Sequence, residues 1–205
     1  SKVSRGLGDV YKRQLIRRYV RKFGIESLRP KRVEPVSPTI VQKVCDIPDG
    51  TPMPTFKTWH VRDNWECFSV LTWMITNLVM GSRKGESTKL PHDVDHNDYF
   101  TRASLTWRIG GCVVIDPTPA QLRSLKEGDA ARVAPKGAKC DQFGTCHGTD
   151  PIILPFHDVA LNGAAQFRTM ELRWPCHGAD RVTLPLYPDA RGQPFDDTRF
   201  ARLVH

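Results

Sequence analysis

The segment GSRKGESTKL at residues 81–90 carries the side chains with the clearest potential for chemistry. It follows an apolar stretch and then presents Arg83, Lys84 and Glu86 in quick succession. A guanidinium is a planar fork that can hold two phosphate oxygens at once, and such a fixed cation stabilises charge that develops during attack on phosphorus. The turn can therefore hold a phosphate through Arg83, with Lys84 and Glu86 close to it in the sequence. A solvated surface Arg–Glu pair is the alternative interpretation.

A second set of candidates lies in a glycine-rich connection between two predicted strands. The sequence AKCDQFGTCHGTDPIILPF at residues 138–156 contains Lys139, and Lys136 comes three residues earlier. An ammonium on a flexible stem can act as a general acid or can contact a phosphate. A solvated loop lysine is the alternative for either position.

Residues 1–35 hold the excess positive charge of the chain. The 205-residue sequence has a formal net charge of +8, and this region alone contains eleven Lys and Arg against three Asp and Glu. A basic arm on a neutral body indicates an anionic partner, nucleic acid before membrane, although a solvated terminus would carry the same charge. LIRRYVRKF at 15–23 has the pattern of a short amphipathic helix. We predict that its basic residues bind DNA: Arg17, Arg18, Arg21 and Lys22.

The chain divides by composition into three parts. Residues 1–14 include VSRGLGDVYKRQ, which resembles a translated sequencing adapter, and we exclude them from the fold prediction. Residues 15–35 are interpreted as a basic linker or as the end of an N-terminal DNA-binding region. Residues 36–205 are interpreted as one folded domain.

Helices are predicted at both ends of this domain. Ser37 and Pro38 predict the start of a helix that runs to about Cys45, and a proline-rich loop follows. Apolar residues at helical spacing predict a long helix over 59–80. A further helix is predicted over 162–175, with its first residue as the N-cap.

Between these helices the apolar period changes from 3.6 to two residues. RASLTWRIGGCVVI at 102–115 predicts one strand, or two strands bent at Gly110-Gly111. Two more strands are predicted on either side of the glycine-rich connection. The predicted class is α+β, mostly helical with a small three-stranded antiparallel sheet.

In this order, the features resemble the catalytic domain of the tyrosine recombinases, the phage-integrase family. The resemblance rests on GSRKGES at 81–87, which is similar to the family's Gly-Leu-Arg-x-x-Glu-Leu motif after an apolar helix. It also rests on AKCDQFG at 138–144, followed by PIILPF, which resembles the eukaryotic and transposon-borne branch. The match covers roughly residues 36–205 and implies part of a DNA breaking-rejoining catalytic core.

The resemblance implies a role for each matching residue. Arg83 corresponds to the family's first catalytic arginine, and Glu86 supports it. Lys139 corresponds to the hairpin lysine that donates a proton to the leaving 5′-oxygen, with Lys136 as its competitor and as a DNA contact. No cofactor is implied, and the partners are duplex DNA and further copies of the full-length parent on that DNA. An intracellular location is expected, nuclear in a eukaryote.

Two family features have no match in these 205 residues. The second arginine belongs to a His-x-x-Arg motif, whereas His177 and Arg181 are one residue too far apart, and no tyrosine follows such a motif. We therefore expect a truncated, inactive part of a parent that recombines or integrates DNA through a phosphotyrosyl intermediate. The alternative is a non-catalytic DNA-binding remnant of a mobile element.

Other function classes fit the sequence less well. Zinc binding has candidate ligands but lacks a Cys-x-x-Cys pair, and we favour reduced structural thiols and loop histidines for Cys140, Cys146, His147, His92 and His96. A Gly-x-Ser-x-Gly elbow and Walker spacing are both absent from the sequence. The longest apolar run, near 67–80, is too short and too polar to span a membrane.

Overall fold

The structure is a computed structural model that describes residues 37–53, 57–82, 87–89, 99–134, 150–196 and 199–200. Internal contacts divide the chain after Pro35, and the residues described here belong to the second unit, Val36–His205. Over these ranges the fold is mixed α/β, with five α-helices and two antiparallel sheets of two and four strands.

Helix α1 (Pro38–Cys45) begins where the Ser-Pro pair predicts. The Ser37 hydroxyl accepts a hydrogen bond from the Ile40 N–H at 3.3 Å, which satisfies a donor that the first helical turn cannot pair. The proline-rich stretch after α1, residues 46–56, was predicted to be a loop, but it contains a short strand that pairs with a second strand directly after it. Strand β1 (Thr51–Met53) pairs antiparallel with β2 (Lys57–Trp59).

Helix α2 (Trp65–Met80) is the centre of the fold. It begins at Asn64, later than predicted, because the Asn64 Oδ1 accepts hydrogen bonds from the N–H groups of Glu66 and Cys67 at 2.9 and 3.2 Å. Every residue from 67 to 76 is buried. Over these residues the helix is therefore enclosed on all sides instead of presenting a polar face to solvent.

The larger sheet comprises β3 (Leu105–Ile109), β4 (Cys112–Val114), β5 (Ala130–Val133) and β6 (Ile152–Pro155), in the order β4-β3-β5-β6. The prediction of three strands is not confirmed. Gly110 and Gly111 adopt positive φ angles of 56° and 85°, and this turn folds residues 105–114 into a hairpin of two strands. The short helix α3 (Pro119–Arg123) connects β4 to β5 and is closed by a capping box between Thr118 and Gln121.

Helix α4 (Gly163–Arg173) begins at the predicted cap, where the Asn162 Oδ1 accepts from the Ala165 N–H at 2.9 Å. Its first residue packs on the far end of α2, since a Cβ at Gly163 would lie 3.4 Å from Thr76 Cγ2 and 2.7 Å from Leu154 Cδ2 of β6. Its last residue, Arg173, lies over Phe68 near the start of α2. The two helices are therefore antiparallel, and helix α5 (Asp180–Thr183) follows.

Candidate nucleic-acid interface

The site residues predicted from the sequence all lie outside the described ranges. They are Arg83, Lys84, Glu86, Lys136, Lys139, Arg17, Arg18, Arg21 and Lys22. The structure does describe the residues that flank segment 83–86 and the residues that flank the connection with Lys136 and Lys139. Those flanking residues define where each segment leaves the core and where it returns.

The exit from α2 is fixed immediately before Arg83. Gly81 adopts a left-handed conformation with φ of 59°, and its N–H donates to the Asn77 carbonyl at 3.0 Å. Glycine takes this conformation without the strain that a Cβ would bring. The Ser82 hydroxyl then donates to Asn77 Oδ1 at 2.6 Å. Two successive residues are therefore tied to the last turn of the helix.

The return of the same segment is fixed as well. Ser87 and Thr88 are buried, and the Lys89 N–H donates to the Phe195 carbonyl at 2.9 Å. Residues 87–89 are not helical. Residues 83–86 therefore connect two anchored points of the core.

The segment that contains Lys136 and Lys139 joins two paired strands. β5 and β6 are antiparallel, and Val133 and Ile152 form the pair nearest the connection. The Ala134 N–H donates to the Ser104 carbonyl at 2.8 Å, which holds the start of the connection against the turn before β3. The prediction of two strands flanking this connection is confirmed, so the two ends of the connection lie side by side.

Sequence reasoning missed a cluster of buried charges. This buried arginine cluster consists of Arg102, Glu171 and Arg181, all less than 5% exposed. Arg181 Nη2 donates to Glu171 Oε1 at 2.9 Å and Nη1 donates to Oε2 at 3.1 Å. Arg102 Nη1 lies 3.2 Å from the same Oε2. One carboxylate therefore serves two guanidinium groups.

The rest of the cluster distinguishes its two arginines. Arg181 also donates to the main-chain carbonyls of Cys176, Arg102 and Leu105 at 3.0, 3.1 and 3.0 Å. Among the described residues, the guanidinium N–H groups of Arg102 have no hydrogen bond of good geometry. Burial lowers the pKa of Arg102 and the Glu171 carboxylate opposes that shift. Burial also raises the pKa of the Cys176 thiol, which is opposed by both guanidinium groups.

This cluster joins the 3-10 turn Arg102–Ser104, α4 and α5 inside the core. From the sequence, Arg181 was considered only as a poorly spaced partner of His177. In the structure it lies in α5, and its Nη1 and Nη2 groups donate to protein acceptors. A substrate phosphate cannot reach it without displacing those contacts. Glu171 follows the apolar Met170 on α4, and a charge inside an apolar helix stripe could have indicated a buried pair.

An exposed ion pair lies next to the buried cluster in the chain. His177 Nδ1 is 2.7 Å from Asp116 Oδ1, and the Gly178 N–H donates to Asp116 Oδ2 at 2.9 Å. Burial alone would raise the pKa of Asp116. The hydrogen bonds from Gly178 and His177 and the charges of His177 and Arg181 act in the opposite direction, so the pKa is lower than usual. The pair ties the segment after β4 to the segment before α5.

A different group of arginines borders an open depression between α3 and α4. The depression has a volume of about 270 Å³ and is lined by Arg123, Arg168, Thr169, Leu172 and Arg173; we call it the arginine depression. Arg168 Nη2 lies 2.6 Å from Asp158 Oδ1. Over the described ranges, Arg123 has no ion-pair partner. Sequence reasoning placed these residues on helices but did not bring them together.

Comparison with known proteins identifies no relative of this chain. No protein-family model matches it, and neither a curated protein nor a solved structure is significantly similar.

The described residues also bear on metal binding and membranes. They contain no group of three or more His, Cys, Asp or Glu side chains arranged to hold a metal ion. The residues weighed above as zinc ligands, and interpreted instead as structural thiols and loop histidines, lie outside the described ranges: Cys140, Cys146, His147, His92 and His96. Within the described ranges, no helix is both long enough and apolar enough to cross a membrane.

Proposed function

We propose that this chain binds duplex DNA through its phosphates and forms part of a tyrosine-recombinase catalytic domain. In the full-length parent, that domain would carry out site-specific recombination or integration through a phosphotyrosyl intermediate. Arg83 would hold the non-bridging oxygens of the scissile phosphate, with Glu86 supporting it. Lys139 would protonate the leaving 5′-oxygen, and Lys136, Lys84 and the basic residues of 15–23 would contact flanking phosphates.

The observation that carries the proposal is the left-handed end of α2 at Gly81, two residues before Arg83. Electrostatic stabilisation of a transition state is strongest when the charge is positioned in advance. A buried helix, a glycine cap and an anchored return at Lys89 provide fixed ends for a segment of four residues. A flexible surface tail with the same composition would not provide them.

The antiparallel pair β5 and β6 supports the second half of the proposal. The connection that carries Lys136 and Lys139 begins and ends on these two paired strands. Gly163 allows β6, α4 and the end of α2 to pack directly on one another. The two candidate segments are therefore attached to elements of one continuous core.

The proposal is tested by measuring the affinity of the 205-residue chain for a fluorescent duplex over a range of salt concentrations. A phosphate contact contributes about 0.9 to the slope of log affinity against log salt. We expect Arg83→Ala and Lys139→Ala each to lower the magnitude of that slope by about 1. Lys89→Ala removes one exposed charge close to Arg83 and is the matched control, which we expect to leave the slope unchanged.

Two results would contradict the proposal. One is the absence of salt-dependent binding by the unmodified chain, and the other is an equal effect of Arg83→Ala and Lys89→Ala. Catalysis is tested on a chain extended from its own gene, by trapping a covalent adduct with nicked DNA. DNA binding without any adduct would favour the non-catalytic alternative.

A further inference from the structure

We propose that the arginine depression binds a backbone phosphate of duplex DNA, at a second contact distinct from the Arg83 segment. The choice of DNA as the ligand rests on the proposed function, whereas the anion site rests on the geometry of Arg123, Arg168 and Arg173. The three arginines come from two helices, α3 and α4, and line the same open space. They are the donor type that best fits phosphate oxygens.

Arg173 is held in position by the protein before any ligand arrives. Its Nη1 and Nη2 donate to the carbonyls of Val61 and Arg62 at 2.9 and 2.8 Å. Its guanidinium lies 4.4 Å from the ring centroid of Phe68 and 5.4 Å from that of Trp65. A side chain fixed in this way loses little conformational entropy when it binds an anion.

The charge of Arg173 is not neutralised by a close carboxylate among the described residues. Burial lowers its pKa, and the more distant Asp63 offsets this shift only in part. An arginine stays charged at all physiological pH values, so its partly buried positive charge remains available to a mobile anion. The two carbonyl groups orient the side chain without cancelling that charge.

Arg168 and Arg123 supply the other side of the depression. The partner of Arg168 is Asp158, whose side chain is 70% exposed, and exposed ion pairs hold their members weakly. The Arg168 guanidinium also lies 5.0 Å from the Phe156 ring centroid, which fixes its plane. The Thr169 hydroxyl donates to the Ala165 carbonyl, so the arginines are the charged donors among the residues that line the depression.

The depression and the Arg83 segment are at opposite ends of α2. Arg173 packs on Phe68 near the first turn, whereas Arg83 follows the last turn. At 1.5 Å per residue, Phe68 and Met80 are separated by about 18 Å along the helix axis. The two sites therefore bind different phosphates, and each should contribute separately to the salt dependence of DNA binding.

The test uses the same duplex and salt series with the full chain. We expect Arg123→Ala and Arg168→Ala each to reduce the magnitude of the salt slope by about 1, and the double variant by about 2. Arg191→Ala is the matched control because Arg191 is exposed, and it should leave the slope unchanged. Arg173 is left unchanged because it also holds the turn at Val61 and Arg62. Circular dichroism verifies that each variant is folded.

Unchanged slopes in the double variant, or an equal loss in Arg191→Ala, would overturn this proposal while leaving the Arg83 test intact. If the unmodified chain does not bind DNA, the proposed function and the DNA ligand both fail. Titration with inorganic phosphate then decides whether the anion site stands. Shifts of the backbone amide signals of Arg123, Thr169 and Leu172, lost in the double variant, would support it, and an absence of shifts would reject it.

Discussion

The buried arginine cluster and the arginine depression use the same side chain in opposite ways. In the buried cluster, Arg181 donates to one carboxylate and three main-chain carbonyls. In the depression, Arg123 has no ion-pair partner in the described part of the chain, and Arg168 pairs with the exposed carboxylate of Asp158. The sequence does not distinguish the two groups, since all of these residues are arginines in or beside short helices.

The difference shows that the acceptors inside the protein decide what an arginine can bind. A buried guanidinium must be paired, because an unpaired charge in the core costs several kcal/mol. Its partners then make it unavailable to a ligand. A guanidinium at the surface keeps its charge at little cost. Contacts with aromatic rings or carbonyls hold it in one position, so it loses less conformational entropy when it binds an anion. Three predictions test this distinction.

The largest expected effect comes from removing the Glu171 carboxylate, which pairs with both buried arginines. Glu171→Ala leaves two positive charges in the core without a counter-charge, and removing one partner of a buried pair costs about 3–5 kcal/mol of unfolding free energy. Urea denaturation followed by tryptophan fluorescence measures the change. Glu127→Ala is the control, because its side chain is 86% exposed beside His157, and it should change stability by less than about 0.5 kcal/mol. Equal effects of the two variants would remove the contrast between buried and exposed pairs.

The second prediction separates the two arginines within the buried cluster. Arg181→Met leaves three main-chain carbonyls and Glu171 without their donor, and we expect a loss of about 3–5 kcal/mol. Arg102→Met removes a guanidinium that has no well-aligned hydrogen bond among the described residues and leaves a neutral Glu171–Arg181 pair. We expect it to cost at least about 2 kcal/mol less than Arg181→Met, again by urea denaturation. A larger loss for Arg102→Met would show that its contact with Glu171 is the principal one.

Local signals predicted most of the fold. The caps at Ser37 and Asn162, the glycine end of α2 and the strands on either side of the glycine-rich connection are where the sequence places them. The start of α2 was misplaced because Val61 continues the apolar pattern, whereas Asn64 provides the cap. The ribbon of β1 and β2 was missed because prolines in so short a segment favour a loop. Its pairing depends on contacts that local sequence does not encode.

The candidate site was less accessible to sequence reasoning. A short motif can indicate Arg83 and Lys139, since their chemistry is local to one turn or one hairpin. The arginine depression joins α3 to α4, which are about forty-five residues apart in the chain, and the hydrophobic periodicity of the sequence does not predict that contact. The pairing of Arg102 with Glu171 is equally non-local. Charge positions can be read from a sequence, but charge partners depend on the tertiary fold.

The smallest expected effect concerns the exposed pair of Asp116 and His177, which adjoins the buried cluster. Because folding lowers the pKa of Asp116, its carboxylate stabilises the protein above the unfolded pKa of about 3.9, and that contribution is lost as the pH falls through the lower, folded value. Asp116→Asn should therefore be less stable than the unmodified chain at pH 6, with the difference shrinking below about pH 4. Thermal denaturation at a series of pH values measures this, with Asp150→Asn as an exposed control. A difference that stays constant across the acid range would show that the amide cannot replace the carboxylate for reasons other than charge.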